Sequence, residues 1–326
     1  MSSAVSTENP LLNIDTDFGS YLNIYTRSFK NHIIDGQLDY AFDSDFAVRQ
    51  KIVGLPGWSK FAKAINTTDV TIEAKNLFVK CEQAGALKYS DIFMMLKKCC
   101  ERLELALPVV LIRNDYDRPL IYSIATDMID PCIVITSQLI DMCSSEELEL
   151  LIGIECGHIQ NNHCTYSWAF TYLNSNNNYA YRPSERSYKG AVNPQIVGAL
   201  AEWIHDADIT ADRAGMICMD NPGRFAETAG GLFEKEYVDF FGRSQRDIRL
   251  EKIQNSIERN KMTTTRSLTK DSSFSEMERR IIASAEFLSC ESLFTWRPDL
   301  EQPENRKFSG EVCDVRSSII LSGGQG

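Results

Sequence analysis

The segment from Ser144 to His163 constrains the fold of this chain more than any other part of it. It opens with Ser144-Ser145-Glu146-Glu147, in which Ser144 can accept a hydrogen bond from the first turn while Glu147 reaches back to the backbone of Ser144. This capping box predicts the start of a helix, and the apolar residues that follow predict that the helix continues to about His163. Glu155 and His158 stand inside this apolar helix, so one element combines core packing with side chains that can carry chemistry.

Composition and charge exclude several classes of protein. Of the 326 residues, 43% are hydrophobic and 24% are charged, as in folded proteins. The chain has 45 acidic and 34 basic residues, and this excess of negative charge opposes binding to nucleic-acid phosphates or anionic membrane surfaces. No apolar run approaches the ~20 residues that a membrane span needs, and no signal or transit peptide is evident at the N-terminus. The ten scattered cysteines are typical of reduced core residues. We therefore expect a soluble cytoplasmic protein with no nucleic-acid partner and no membrane span.

The local sequence pattern predicts an α+β fold that is mostly helical with a small sheet. Three β-type runs, Pro108–Arg113, Pro119–Ala125 and Cys132–Thr136, predict the sheet. The polar interval Tyr166–Asn193 predicts a surface loop, and apolar periodicity predicts further helices over about Pro194–Met219, Ala226–Phe241 and Glu276–Phe294. We expect a partly ordered leader over residues 1–45 and a main domain over 46–260, which is helical over 46–106 and contains the sheet and the motif helices over 107–260. A linker over 261–275 and a C-terminal helix with an aperiodic tail over 276–326 are expected to follow.

Two helices carry the candidate catalytic residues. A zincin helix uses H-E-x-x-H, because two histidines four residues apart share one metal ion while the intervening Glu polarises the metal-bound water. This chain has Glu155 and His158 in the second half of that pattern, but Ile154 stands where the first His belongs. In the later helix, Asp208 and Asp212 have the four-residue spacing of a third ligand and a supporting carboxylate.

Together these residues resemble the zinc metallopeptidases of the HtpX and CAAX prenyl protease type, peptidase family M48. The resemblance implies a zincin-like (gluzincin) metallopeptidase fold, zinc as cofactor and Glu155 as the general base. The polar interval between the two motifs is similar to that of the family's soluble members. In chain order, the resemblance is carried by Cys132–Thr136, Ser145–Leu148, Glu155–Ile159, His163 and Asp208–Gly215.

Two departures from the family pattern fall on the metal site. Ile154 has no donor atom, and Asp208, in place of the family's Glu, is shorter by one methylene, so both changes weaken zinc binding. His205 is the best substitute ligand, because it lies about one turn before Asp208. His163 is a poorer one, since five residues after His158 it would point well round the helix.

Two main function hypotheses follow from the resemblance. The first is a pseudopeptidase that binds a protein or peptide in its cleft, with zinc weak or absent. The alternative is an active zinc metalloendopeptidase in which His158, Asp208 and His205 hold the metal and Glu155 activates water. A weaker third possibility is a different hydrolytic or modifying reaction carried out by Glu155, His158 and His205. His158 could also be a hydrogen-bonded interior histidine with no catalytic role. Asp212 and Arg213 are expected to support the site, and the expected peptide-binding edge is Cys132, Ile133, Val134, Ile135 and Thr136.

Overall fold

The computed structural model describes residues 32–34, 36–126, 129–174, 188, 190–235, 237–243, 248–268, 271–302 and 308–324. Most of the predicted leader lies outside these residues. The same holds for residues 175–187 of the predicted polar loop, although the start of that interval lies in a helix, as given below.

The first part of the described chain is mainly helical, as the apolar spacing over 46–106 predicts. A short hairpin precedes the helices, and a π-helical turn at Ile65–Val70 joins the second helix to the third. In chain order the elements are β1 (Ile33–Ile34), β2 (Gln37–Leu38), α1 (Asp43–Val53), α2 (Trp58–Ala64), α3 (Thr71–Lys80), β3 (Glu82–Gln83) and α4 (Ser90–Arg102).

The three predicted β-type runs form the main part of one sheet. They are β4 (Val109–Arg113), β5 (Ile121–Thr126) and β6 (Ile129–Thr136), and the strand order is β3-β4-β6-β5. β6 is parallel to β4 and antiparallel to β5, with Val134 opposite Leu111 on one side and Tyr122 on the other. Alternate residues of β6 enter two hydrophobic clusters, so the sheet is buried on both faces.

The predicted peptide-binding edge is wrong. Cys132, Ile133, Val134, Ile135 and Thr136 all lie in β6, whose backbone is paired on both sides. The uncharged, β-branched run that suggests an exposed edge is equally typical of a central strand covered on both faces. The edge of the sheet beside the motif helix is β5.

Two long helices follow the sheet. After α5 (Ser137–Met142), α6 (Ser145–Gln160) begins with the predicted capping box: Glu147 N–H donates to Ser144 Oγ, and Ser144 N–H donates to the Glu147 carboxylate. Then come α7 (Cys164–Leu173), which occupies the start of the interval predicted as a loop, and α8 (Pro194–Cys218).

Small residues let α6 and α8 cross closely. A Cβ added at Gly157 would lie 2.5 Å from Ala214 Cβ, and one added at Gly153 would lie 2.7 Å from Cys218 Cβ. On the other helix, a Cβ at Gly215 would lie 2.7 Å from Leu150. This close approach brings the ionisable residues of the two helices to one place.

The C-terminal part differs from the prediction in three respects, one of which is that the predicted helix Glu276–Phe294 is interrupted by a 3₁₀ turn at Glu286–Ser289. Its helices are α9 (Phe225–Glu234), α10 (Leu250–Met262), α11 (Glu276–Ala285), α12 (Glu291–Trp296) and α13 (Gly310–Leu321). The helix predicted to reach Phe241 ends at Glu234, and the predicted aperiodic tail contains α13. That helix buries Asp314, Arg316 and Ser317 as well as Cys313, so its inward face shows no apolar periodicity in the sequence. Among the described residues, no helix has the length and apolarity needed to cross a membrane.

Candidate functional site

The two motif helices enclose a small cavity. It measures about 60 Å³ and lies where α6 and α8 face β5, α11 and residues 237–243. The structure thus brings together four of the residues that the sequence predicts for a site, and adds a carboxylate, Asp239, and two arginines. The ionisable side chains of its lining are Glu155, His158, Asp208, Asp212, Asp239, Arg243 and Arg280, and Ile154 lies beside them.

His158 is tied to His163 by the way α6 ends. Asn162 has the left-handed φ of 57°, and His163 N–H donates to His158 O, which together form a Schellman-type helix end. The chain therefore turns back over the last turn of the helix, and the two Nδ1 atoms lie 3.0 Å apart. The expectation that His163 points away from His158 is wrong, because His163 lies beyond the helix.

The buried carboxylate of Asp45 holds the other ring nitrogen of His163, Nε2, in place. His163 Nε2 lies 2.9 Å from Asp45 Oδ2, and Asp45 also accepts hydrogen bonds from Arg49 Nε, Trp203 Nε1 and Thr210 Oγ1. Hydrogen bonds and charge from these partners outweigh burial and hold the pKa of Asp45 well below its usual range.

This arrangement determines the tautomer of His158. Burial lowers the pKa of both histidines, that of His158 to about 3, so both rings are neutral at physiological pH. Asp45 is ionised and can only accept, so His163 donates through Nε2 and accepts at Nδ1. His158 must then donate through its own Nδ1, which leaves a lone pair on its Nε2.

The side chain of Glu155 is buried beside β5. Burial raises its pKa to about 7, against the opposing effect of hydrogen bonds donated by the hydroxyl and backbone N–H of Ser123; the nearby charge of Asp239 also raises it. A carboxyl with this pKa exchanges its proton near neutral pH, which is the range a general base needs.

Asp208 is held by arginine side chains. Arg243 donates both terminal nitrogens to the two oxygens of Asp208, at 2.7 and 3.0 Å, and Arg280 Nη1 lies 3.2 Å from Oδ2. Burial alone would raise the pKa of Asp208, but the two guanidinium charges outweigh it and lower the pKa to about 2. The carboxylate predicted as a metal ligand is therefore ionised and neutralised by protein cations.

The predicted supporting residues serve other partners. Asp212 accepts two hydrogen bonds from Arg280, at 2.7 and 2.8 Å, and a third from Ser284. Arg213 lies away from the cavity, where it pairs with Asp314 at 2.7 Å and donates to Tyr40 O. Its predicted role beside the site is wrong, because its side chain joins α8 to α13.

His205 does not join His158 and Asp208. Its imidazole is 43% exposed and lies 3.2 Å from Glu276, whose hydrogen bond raises its pKa. It is absent from the lining of the cavity. The structure therefore contradicts the prediction that His205 replaces the missing ligand, because it turns to Glu276 rather than inward.

The residues present do not fit zinc in the family geometry. A catalytic zinc site needs three protein ligands and an open position. Here Ile154 supplies no donor, Asp208 is occupied by the Arg243 fork, and His158 alone offers a suitable nitrogen. Within the described ranges, no group of three or more His, Cys, Asp or Glu side chains is arranged to hold a metal ion.

Sequence reasoning missed three residues of this network and the position of a fourth, His163. Asp45 lies a hundred residues before the start of the motif helix, and Arg243 and Arg280 lie outside both motifs, so no local pattern points to them. His163 had a signal: Asn161-Asn162 is a pair that favours a helix end with left-handed backbone, and a helix that stops there brings His163 back.

Comparison with known proteins agrees with the family resemblance that the motif residues carry. Residues 126–265 match the sequence model of peptidase family M48. A curated relative, the plastoglobule-localized metallopeptidase 48 of Arabidopsis thaliana chloroplasts, is 24% identical over 170 residues, which make up 52% of this chain and 47% of that protein. The chain thus spans about half the length of the curated relative it matches, and no solved structure gives a significant match. The resemblance drawn from the motifs is confirmed, since residues 126–265 match the model of peptidase family M48 and the relative carries the name of a metallopeptidase 48.

Proposed function

We propose that this protein is a pseudopeptidase, an M48 relative that binds a protein or peptide in its cleft without zinc-dependent hydrolysis. The observation that carries the proposal is the Arg243 fork on Asp208. A carboxylate that already neutralises one guanidinium and contacts a second has little negative charge left for a divalent ion. Zinc is accordingly proposed to be weakly bound or absent.

The proposal includes a zincin-like (gluzincin) arrangement for the family-matched region. Two features support it: a small sheet with an antiparallel edge strand, β5, and a motif helix, α6, packed against that strand. The β5 backbone at Ser123 is already engaged, since its N–H donates to Glu155 and its carbonyl accepts from Trp168 Nε1. We therefore propose that a partner is recognised mainly through side-chain contacts, rather than as an added strand.

The active metalloendopeptidase remains the competing hypothesis, and two observations favour it. Glu155 has the pKa of a general base, and His158 Nε2 carries a lone pair at the same cavity. Hydrolysis with His158, Asp208 and His205 as ligands would require His205 to leave Glu276 and Arg243 to leave Asp208.

Elemental analysis separates the two hypotheses. For protein purified without chelator we expect zinc well below one ion per chain and no hydrolysis of casein. Glu155→Gln should change neither result, and Asp220→Asn, an exposed acidic position outside the cavity, serves as its matched control. Stoichiometric zinc, with hydrolysis that disappears in Glu155→Gln but not in Asp220→Asn, would overturn the pseudopeptidase proposal.

The expected cytoplasmic location stays a prediction. The name of the relative places that protein at chloroplast plastoglobules. Imaging of a tagged full chain would decide where this protein resides.

A further inference from the structure

The cleft is filled by a turn of the protein's own chain, residues 237–243, which we call the internal turn. Asp239 organises it: its carboxylate accepts from the backbone N–H groups of Phe241 and Arg243, and its own N–H donates to Arg243 O. Gly242 provides the positive φ of 81° that the turn requires. The internal turn is thus a compact unit held by its own hydrogen bonds.

An aromatic cluster on β5 and α7, beside the lining of the cavity, receives the middle of the internal turn. Phe240 stacks on Tyr122 of β5, with ring centroids 4.7 Å apart and planes 20° apart, and also contacts Trp168 at 5.5 Å. Phe241 meets Phe170 edge-on at 5.7 Å. Phe240 is 6% exposed, so this contact buries a whole aromatic side chain.

A charged pocket receives the end of the internal turn. The guanidinium group of Arg243 donates hydrogen bonds to the carboxylates of Asp208 and Asp239. These two carboxylates raise the pKa of Arg243 above its usual value, against the opposing effect of burial. Asp208 is 3% exposed and ionised, so a cation must lie against it or the buried charge is left uncompensated. The planar fork of arginine matches the two carboxylate oxygens better than the point charge of lysine.

We propose that the internal turn is an intramolecular ligand, and that the protein partner of this cleft presents the same two groups, an aromatic side chain followed three residues later by an arginine. This inference rests on the proposed peptide-binding function. Tyr122 and Trp168 form the aromatic subsite, and Asp208 forms the arginine subsite. The partner replaces the internal turn, and its apparent affinity is reduced by the fraction of molecules in which the turn is seated.

The test uses a synthetic peptide as the probe and the full chain as the receptor. The labelled peptide has the sequence of residues 237–243, Tyr-Val-Asp-Phe-Phe-Gly-Arg. Fluorescence anisotropy compares the wild type with the double variant Phe240→Ala/Arg243→Gln, which removes both anchors of the internal turn. We expect the double variant to bind the peptide at least about ten-fold more tightly than the wild type, because the competing intramolecular ligand is weakened.

Controls separate this inference from the proposed function. In the double variant, replacing the phenylalanine at the fourth position or the arginine of the peptide should each weaken binding about ten-fold or more, and adding Asp208→Asn should remove the preference for arginine. Arg249→Gln, which breaks a pair with Glu278 outside the cleft, should behave like the wild type. If a scrambled peptide binds equally well, the cleft binds peptides but the inference is wrong. If no peptide binds, both proposals fail.

Folding of the double variant is checked first by circular dichroism. If it does not fold, Arg243→Gln alone is tested with the same peptides, since it retains the Phe240 anchor. We then expect a smaller gain in affinity of the same sign. No gain in this folded variant would overturn the inference.

Discussion

Arg243 and Arg280 decide what the cavity between the motif helices can hold. Both contact Asp208, and Arg280 also binds Asp212, so the two carboxylates of the family's later motif are paired with protein cations. Two unit charges 4 Å apart repel by about 4 kcal/mol at an effective dielectric of 20, and a divalent ion would experience roughly twice that from each arginine. The arginines therefore disfavour a metal ion independently of the ligand lost at Ile154.

We expect that restoring the family's ligands alone will not restore zinc binding. Ile154→His/Asp208→Glu adds the missing donors but leaves both guanidinium groups in place, so bound zinc should stay well below one ion per chain. Adding Arg243→Gln and Arg280→Gln should bring zinc close to one ion per chain. Mass-spectrometric zinc analysis and the visible absorption of bound Co²⁺ give two independent measurements.

The matched control for these arginine changes is Arg249→Gln combined with the two restored ligands. Arg249 pairs with Glu278 away from the cavity, so this change should leave zinc binding low. Full zinc occupancy in Ile154→His/Asp208→Glu with both arginines present would show that lost ligands, not added charge, exclude the metal.

Glu155 predicts a specific dependence of stability on pH. Its folded pKa of about 7 lies above the unfolded value of about 4.3, so its contribution to stability is complete below pH 4.3 and is lost as the pH rises to about 7. Glu155→Gln does not titrate and keeps a side chain of similar shape. We expect it to gain up to about 4 kcal/mol over the wild type between pH 4.3 and 8, at 1.36 kcal/mol per pKa unit.

Urea unfolding of both proteins at several pH values measures this difference. His158, whose folded pKa is about 3, destabilises the fold as the pH falls below about 6.5, but this effect is common to both chains and cancels. A difference that stays constant from pH 4.3 to 8 would contradict the buried, largely protonated Glu155.

At the scale of elements, the crossing of α6 and α8 positions the cavity. Gly157→Ala adds a Cβ 2.5 Å from Ala214 Cβ, so the helices must separate. We expect a loss of about 1–3 kcal/mol in the free energy of unfolding. Gly198→Ala, in the same helix as Ala214 but with open space around it, should be neutral or stabilising by up to about 1 kcal/mol. Equal stability of the two variants in chemical denaturation would show that the crossing tolerates a wider spacing.

Element assignment from sequence worked where one local signal dominated. The capping box at Ser144 and the apolar period of α8 predicted helices that the structure contains nearly as expected. It failed where the answer depended on a distant neighbour. The position of β6 in the sheet depends on which strands pair with it, and the inward face of α13 is polar because it meets Arg213 and Glu286.

At the scale of the whole molecule, α13 closes the main hydrophobic cluster and partners buried charges. Asp314 pairs with Arg213, and Arg316 pairs with Glu286 at 2.5 Å, all four side chains being nearly inaccessible. A chain that ends at Ser309 loses the partners of Arg213 and Glu286 and uncovers the part of the hydrophobic cluster that α13 covers, and each broken buried pair costs about 3–5 kcal/mol. We expect this truncated chain to be unfolded by circular dichroism at 25 °C, whereas a chain that ends at Ser322 should unfold like the full chain. A cooperative thermal transition in the shorter chain would contradict the role given to α13.

The sequence by itself determined the resemblance to peptidase family M48, the α+β class, the two motif helices and four of the seven ionisable residues that line the cavity. These features depend on local spacing and on side-chain chemistry, which one chain carries along its length. Only the tertiary structure decided that Arg243 and Arg280 neutralise Asp208, that His163 supports His158, that His205 turns away, and that an internal turn fills the cleft. Those outcomes depend on contacts between charged and aromatic side chains that are 35 to 118 residues apart in the sequence, or on where a helix ends. Because these side chains are buried, each contact has a large effect on the free energy of folding.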